Sequence, residues 1–121
     1  MVELDLSHQR LRKLQNLEKL VNLRRADFSN NELARISGLD NLINLEELSL
    51  EENRLSRVEG LTRLVHLKRL DLSKNRITRI EELDKLPHLE QLSLEGNSLR
   101  SLAGLATLQN LLELYVGNNQ V

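Results

Sequence analysis

Histidine and serine are the residues of this chain most suited to chemistry. A serine hydrolase needs its nucleophile on a sharp strand-to-helix turn, and no segment has that pattern. His66 and His88 lie 22 residues apart and would supply two zinc ligands, whereas a structural zinc site needs four and the chain has no cysteine. Asn22, Asn44 and Asn110 occupy the equivalent position elsewhere in the chain, which favours a surface polar role for both histidines.

Paired glutamates are the other candidates for catalysis. Glu51–Glu52 and Glu81–Glu82 fall in segments with the composition of open turns, whereas acid–base catalysis requires an enclosed cleft. The five glycines form no phosphate-binding loop. The sequence therefore predicts that the protein is not an enzyme and has neither a cofactor nor a metal.

The composition narrows the range of partners. With 121 residues the chain has room for one domain with its own core. A formal net charge of −1 gives no general attraction to nucleic acid or anionic membranes, and aromatic residues make up only 2%. No apolar run approaches membrane-spanning length, no secretion signal is evident, and cysteine is absent. We therefore expect a cytoplasmic protein that binds neither nucleic acid nor membranes.

One sequence unit recurs every 22 residues along the chain. Within each copy an aliphatic residue, usually leucine, occupies every third position, with a single interval of two, as between Leu48 and Leu50. About five full copies and a truncated sixth fill residues 1–121, which we treat as a single domain. The same position in successive copies is an asparagine: Asn31, Asn53, Asn75, Asn97 and Asn119.

This spacing predicts the path of the chain. Apolar residues three apart would wind right round an α-helix, which turns about 100° per residue, so one helix could not bury them together. A period of three suits 3₁₀ turns, and the interval of two marks a short strand. Since no copy can bury its apolar face alone, the copies must stack. We predict a right-handed α/β solenoid, with a parallel sheet on the concave face and 3₁₀ or coil return limbs on the convex face.

The repeated asparagines have a structural interpretation. An amide side chain both donates and accepts hydrogen bonds, and at each bend it can pair backbone groups that would otherwise be buried without partners. We expect the five asparagines to form a ladder from copy to copy.

The repeat resembles the SDS22-like class of leucine-rich repeats. Residues 45–67 and 67–89 carry its 22-residue turn and its Asn-x-Ile/Leu element. The Gly-Leu pair that begins the return limb of that class is present in three copies and altered in two: Gly38, Gly60 and Gly104 keep the glycine, and Asn16 and Glu82 replace it. The resemblance implies a curved leucine-rich repeat solenoid whose concave sheet binds a protein.

Several functions are compatible with that resemblance. The leading interpretation is an adaptor module of a cytoskeletal, ciliary or centrosomal protein. An alternative is a regulatory module of an enzyme such as a protein phosphatase. Bacterial internalins have a similar turn length, but the absence of a secretion signal counts against them.

The ends of the array suggest a third interpretation. Met1 and Val121 both fall inside the repeat pattern, without capping segments. We expect a piece of a longer array, or a designed module. Exposed strand edges at such ends would allow the chain to form homo-oligomers.

Alternation along each strand predicts which side chains reach the concave face. These are Arg25, Asp27, Glu47, Ser49, Arg69, Asp71, Gln91, Ser93, Glu113 and Tyr115. Charges of opposite sign alternate from strand to strand, either to hold the register or to dock a partner. Tyr115 is the one aromatic expected on this face and the best candidate anchor, whereas Phe28 takes a core position beside Ala26.

A basic ridge is predicted beyond the asparagine turn. Its members are Arg35, Arg54, Arg57, Arg76 and Arg79. Nearby glutamates would make it an internally paired, solvated rim. The alternative is a docking surface for an acidic or phosphorylated segment.

Overall fold

The computed structural model describes residues 2–121, and it contains six short β-strands. Each strand is three residues long and occurs once per copy of the repeat. The strands are β1 (Glu3–Asp5), β2 (Arg25–Asp27), β3 (Glu47–Ser49), β4 (Arg69–Asp71), β5 (Gln91–Ser93) and β6 (Glu113–Tyr115). One 3₁₀ helix, Leu83–Lys85, lies on a return limb.

The strands form one parallel sheet in the order β1-β2-β3-β4-β5-β6. Each residue pairs with the residue 22 positions later, as Leu48 does with Leu70. Equivalent side chains therefore stack in columns across the sheet. The predicted solenoid of about five turns is confirmed.

The return limbs run in consecutive three-residue turns. In one limb the Leu42 amide donates to the Leu39 carbonyl at 2.9 Å, and the Leu45 amide donates to the Leu42 carbonyl at 3.0 Å. This is the 3₁₀ pattern, with three residues per turn. It turns every third side chain inward, which explains the leucine spacing: Leu39, Leu42 and Leu45 are fully buried.

One continuous core fills the space between the sheet and the return limbs. Leu48 and Leu50 both point into it, and Phe28 is fully buried, as the alternation predicted. The outermost copies are less well covered because, within residues 2–121, each has a neighbour on one side only. Leu114, for example, is exposed. The predicted phase of Met1 lies outside the described residues.

Glycines allow adjacent copies to approach closely at the start of the return limb. Gly38 and Gly60 have φ of 79° and 71°, in the left-handed region. A Cβ atom on Gly60 would lie 2.7 Å from the Ile36 carbonyl oxygen of the preceding copy. Glu82 has the same left-handed conformation, with φ of 63°, immediately before the 3₁₀ helix.

Throughout residues 2–121, no helix is both long and apolar enough to cross a membrane.

Candidate functional site

The outward side chains of the six strands line a concave groove of about 700 Å³. All ten residues that the sequence analysis assigned to this face lie along it: Arg25, Asp27, Glu47, Ser49, Arg69, Asp71, Gln91, Ser93, Glu113 and Tyr115. They come together because the 22-residue register keeps their columns aligned over the whole sheet.

The first outward column, which begins each strand, is largely charge-paired. Arg25 forms an ion pair with Glu3 across β1 and β2. Arg69 Nη1 lies 2.8 Å from Glu47 Oε1 across β3 and β4. These pairs are exposed, and each stabilises the sheet by no more than about 1 kcal/mol. The contacts favour a register-holding role for these arginines.

The second outward column holds aspartates whose orientation is fixed by serine. Asp27 Oδ1 accepts hydrogen bonds from the Ser29 amide at 2.9 Å and from its hydroxyl at 2.5 Å. Asp71 is held by Ser73 in the same way, at 2.9 and 2.5 Å. At Asp5 the hydrogen bonds from Ser7 lower the pKa of the carboxyl group.

In two copies of the repeat the carboxylate lies two residues further along the chain than the aspartate of the other copies. Where the second column has Ser49 or Ser93, the Asp-x-Ser arrangement becomes Ser-x-Glu, and Glu51 or Glu95 supplies the carboxylate. Burial raises the pKa of Glu51, and the nearby charge of Asp71 adds to the effect. Neither Glu51 nor Glu95 was among the ten residues that we assigned to the concave face from the sequence. The exchange of acid and hydroxyl between two positions of the repeat was the signal that would have revealed them.

The groove is strongly acidic. Among its lining residues two arginines, Arg25 and Arg69, face six carboxylates: Glu3, Asp5, Asp27, Glu47, Asp71 and Glu113. The whole chain has a formal charge of only −1. Among residues 2–121, no cation forms an ion pair with Asp5, Asp27 or Asp71. Three rigid carboxylates therefore face the open groove without a counter-charge.

Tyr115 stands at the β6 end of the groove and is 51% exposed. Its hydroxyl donates a hydrogen bond to Glu113 Oε2 at 2.9 Å. This bond and the negative charge of Glu113 raise the pKa of Tyr115. The ring thus presents a fixed aromatic surface beside a carboxylate.

Most arginines of the basic ridge form ion pairs with glutamates of the same or the next copy. Arg35 Nη2 lies 2.9 Å from Glu59 Oε1. Arg57 and Arg79 share Glu81, at 3.6 and 3.2 Å. The other two ridge residues differ from each other: Arg54 lies 3.8 Å from Glu32, whereas Arg76 forms no ion pair within the described chain. The geometry favours a solvated rim.

The asparagine side chains connect successive copies. Asn53 Nδ2 donates to the carbonyls of Phe28 and Leu50 at 3.1 Å, and its Oδ1 accepts from the Leu33 amide at 3.0 Å. The same bonds recur for the other members of the ladder: Asn31, Asn75, Asn97 and Asn119. Across residues 2–121, no buried side-chain polar atom lacks a hydrogen-bond partner.

The described residues contain no group of three or more His, Cys, Asp or Glu side chains placed to hold a metal ion. His66 and His88 occupy equivalent exposed positions in adjacent copies. The groove therefore offers carboxylates, hydroxyls and one phenol, a set suited to binding.

A solenoid of stacked 22-residue copies, with a leucine core and an asparagine ladder, defines a leucine-rich repeat protein. The family model described as leucine rich repeat matches residues 43–99, and the model described as leucine rich repeats in two copies matches residues 21–63. This chain belongs to the leucine-rich repeat family. Its members are typically modules for protein–protein interaction and are generally not catalytic. The SDS22-like subclass stays a prediction.

Solved structures of bacterial proteins share the fold. An internalin of Listeria monocytogenes is 27% identical with a TM-score of 0.91, over 98% of this chain and 35% of its own. Internalin C2 of the same species is 30% identical with a TM-score of 0.86, over 96% and 51%. A leucine-rich repeat protein of Leptospira interrogans is 27% identical with a TM-score of 0.87, over 99% and 32%. The chain thus spans about a third to a half of these proteins. Comparison with curated protein sequences found no match.

Proposed function

We propose that this chain is a non-catalytic scaffold that binds a protein partner on its concave sheet, as an adaptor module of a larger cytoskeletal, ciliary or centrosomal protein. We further propose that it works in the cytoplasm, a reducing compartment that suits a chain without cysteine. Membership of the leucine-rich repeat family supports the binding role. The adaptor role rests on the resemblance of the repeat to that of intracellular members.

One observation supports the concave face above all. Asp5, Asp27 and Asp71 are held in place by serine, face the groove and have no cationic partner among residues 2–121. These hydrogen bonds fix the carboxylates before any partner arrives, which lowers the ordering cost of binding. The three aspartates take no part in the ion pairs between neighbouring strands, so their charges are not used to hold the sheet together.

The charge of the groove suggests the chemistry of the partner. A segment rich in lysine and arginine would meet the three aspartates, together with Glu51 and Glu95 at the border. An arginine of that segment would also be able to stack on the exposed ring of Tyr115. Because these carboxylates are exposed or half-buried, we expect binding to weaken as salt is raised.

Site-specific crosslinking tests the proposal. A photoreactive amino acid replaces Ser49 in the groove or, as a matched control, Ser56 on the exposed return limb. We expect discrete protein adducts from position 49 only. Asp27→Asn with Asp71→Asn keeps the Oδ1 acceptors for serine and removes both charges, so the adduct yield at low salt should fall at least tenfold.

Two results would contradict this assignment. Equal adducts from positions 49 and 56 would show that the concave face has no preference. An undiminished yield in the Asp27→Asn, Asp71→Asn protein would show that the aspartates do not contact the partner.

A further inference from the structure

The arginines of the basic ridge are not equally paired. Arg76 forms no ion pair among the described residues, and Arg54 has only a long one, 3.8 Å to Glu32. Glu32 is itself shared, because Arg12 lies closer to it, at 3.4 Å. Arg54 and Arg76 occupy the same position of the repeat in the copies that begin with β3 and β4, and both are exposed. We call these two residues the arginine pair.

The backbone beneath the arginine pair is fixed and holds the two residues side by side. The Arg76 amide donates a hydrogen bond to the Leu55 carbonyl at 2.7 Å. The Arg54 amide makes the equivalent bond to the Leu33 carbonyl at 2.8 Å. Since the first of these bonds joins the two copies directly beside the pair, the two arginines start at about the spacing of hydrogen-bonded chains, about 4.8 Å. Two long side chains that start this close can reach the same group.

The positive charge of the arginine pair is not balanced nearby. Like charges on adjacent rows repel each other, and the same position in the following copy is the neutral Ser98. The carboxylates that precede the pair are engaged elsewhere, since Glu51 and Glu52 lie 3.9 and 3.3 Å from Lys74 Nζ. An anion held between the two guanidinium groups relieves the repulsion between them.

We propose that the arginine pair binds the phosphate group of a phosphorylated partner segment, at a site separate from the concave groove. A phosphorylated side chain carries close to two negative charges and three acceptor oxygens. Each guanidinium is a planar fork of donors that matches such oxygens, so two of them can hold one phosphate. Arg57 and Arg79, three residues further along, share the single carboxylate of Glu81. Their excess charge suits acidic residues beside the phosphate.

The rest of the surface argues for one phosphate on a protein segment, and against nucleic acid or an anionic membrane. An extended polyanion needs positive charge along much of the molecule, whereas this chain has a net charge of −1. On one side of the pair, Arg35 is neutralised by Glu59 at 2.9 Å. On the other side, Ser98 and Ser101 replace the arginines of the ridge. The unbalanced charge is therefore confined to two copies.

A synthetic phosphopeptide and the ¹⁵N-labelled protein test the proposal. The probe has nine residues, all alanine or glycine apart from a central phosphoserine flanked by two glutamates. We expect saturable NMR shifts centred on residues 54, 76 and 98. The same peptide with unmodified serine, and inorganic phosphate alone, should each bind at least tenfold more weakly. Glutamate in place of the phosphoserine should weaken binding at least threefold, because a carboxylate has one charge and two acceptor oxygens.

Variants of the protein assign the contact. Arg54→Gln with Arg76→Gln should weaken phosphopeptide binding at least tenfold. The matched control, Arg24→Gln with Arg35→Gln, removes the same charge from arginines that are paired with glutamates, and should change the affinity less than twofold. Arg54→Lys with Arg76→Lys keeps the charge but loses the planar fork, so we expect binding about threefold weaker.

Asp27→Asn with Asp71→Asn should leave phosphopeptide binding unchanged within twofold, so the result is independent of the concave site. The proposal is wrong if both double glutamine variants weaken binding equally, since general attraction to a positive surface would then explain it. Equal binding of the glutamate peptide would assign the pair to an acidic segment, and equal binding of inorganic phosphate to a free anion. Shifts that map elsewhere, or no saturation at millimolar phosphopeptide, would also overturn it.

Discussion

At the scale of single residues, the asparagine ladder shows why one residue type recurs in every copy. Asn53 uses its amide nitrogen as a donor to carbonyls of its own copy and the preceding one, and its oxygen as an acceptor for the Leu33 amide. Aspartate would keep the acceptor but lose the donor and bury a charge, and leucine would provide neither function. The position is therefore readable from sequence, since only an amide meets all its bonding requirements.

Glu51 gives a prediction about pH at the same scale. Burial and the charge of Asp71 raise its pKa in the folded protein, so the folded state binds more protons than the unfolded state between the ordinary value and the raised one. Stability conferred by this group is present at acid pH and is lost as the pH rises through the folded pKa. Glu51→Gln should therefore slightly stabilise the protein at pH 7, and the advantage should vanish below about pH 4.

Urea unfolding of wild type and Glu51→Gln from pH 3 to 8 measures this difference. Glu52→Gln is a suitable control, because Glu52 is more exposed and also lies near Lys74. A Glu51→Gln protein that is less stable than wild type at pH 7 would show that attraction to Lys74 outweighs burial and repulsion.

At the scale of elements, the joints between strands and return limbs depend on left-handed residues. Gly60 and Gly96 both have φ of 71°, but they differ in their neighbours. An added Cβ on Gly60 would lie 2.7 Å from the Ile36 carbonyl oxygen, whereas on Gly96 it would come no closer than 3.4 Å, to Lys74 Cγ. The two glycines therefore separate the cost of backbone conformation from the cost of close packing between copies.

We predict that Gly96→Ala costs about 1 kcal/mol, the penalty of a left-handed alanine. Gly60→Ala should cost about 2–4 kcal/mol, since the new methyl group also pushes two copies apart. Chemical denaturation of both variants measures the difference. Equal losses would mean that the backbone at Gly60 relaxes freely, as the presence of Glu82 at the equivalent position shows one copy can accommodate.

The constant repeat period explains how much of the fold and of the groove could be predicted from the sequence. A constant offset of 22 residues aligns every column, so the fold, the core phase of Phe28 and all ten groove residues followed from spacing. Pairing of the basic ridge with nearby glutamates was also expected, but the partner of each arginine was not, because Arg35 reaches Glu59 diagonally, 24 residues away.

At the scale of the whole molecule, the solenoid is nearly one-dimensional. Among the described strands, each contacts only its immediate neighbours in sequence. Stability is then close to a sum over copies and the interfaces between them. Interior copies bury both faces, and the last copy within residues 2–121 buries one, which explains the partial exposure of Leu105, Leu108 and Leu111.

Leu64 and Leu108 test this view because they occupy the same position of the repeat, two copies apart. Leu64 is fully buried between neighbours on both sides, whereas Leu108 is only partly buried. We predict that Leu64→Ala destabilises the protein by about 3–5 kcal/mol, through lost burial and a new cavity, and that Leu108→Ala costs less than about half of that. Urea unfolding gives both values.

Hydrogen exchange measures how local stability decreases from the interior copies to the last described copy. Amides of β6 should exchange through local fraying, and those of β3 only through opening of most of the solenoid. Leu108→Ala should therefore accelerate exchange in β6 and leave β3 nearly unchanged, whereas Leu64→Ala should accelerate it in both. Equal acceleration of β3 and β6 by Leu108→Ala would show that the copies unfold as one unit, so that no copy is stabilised independently of the rest.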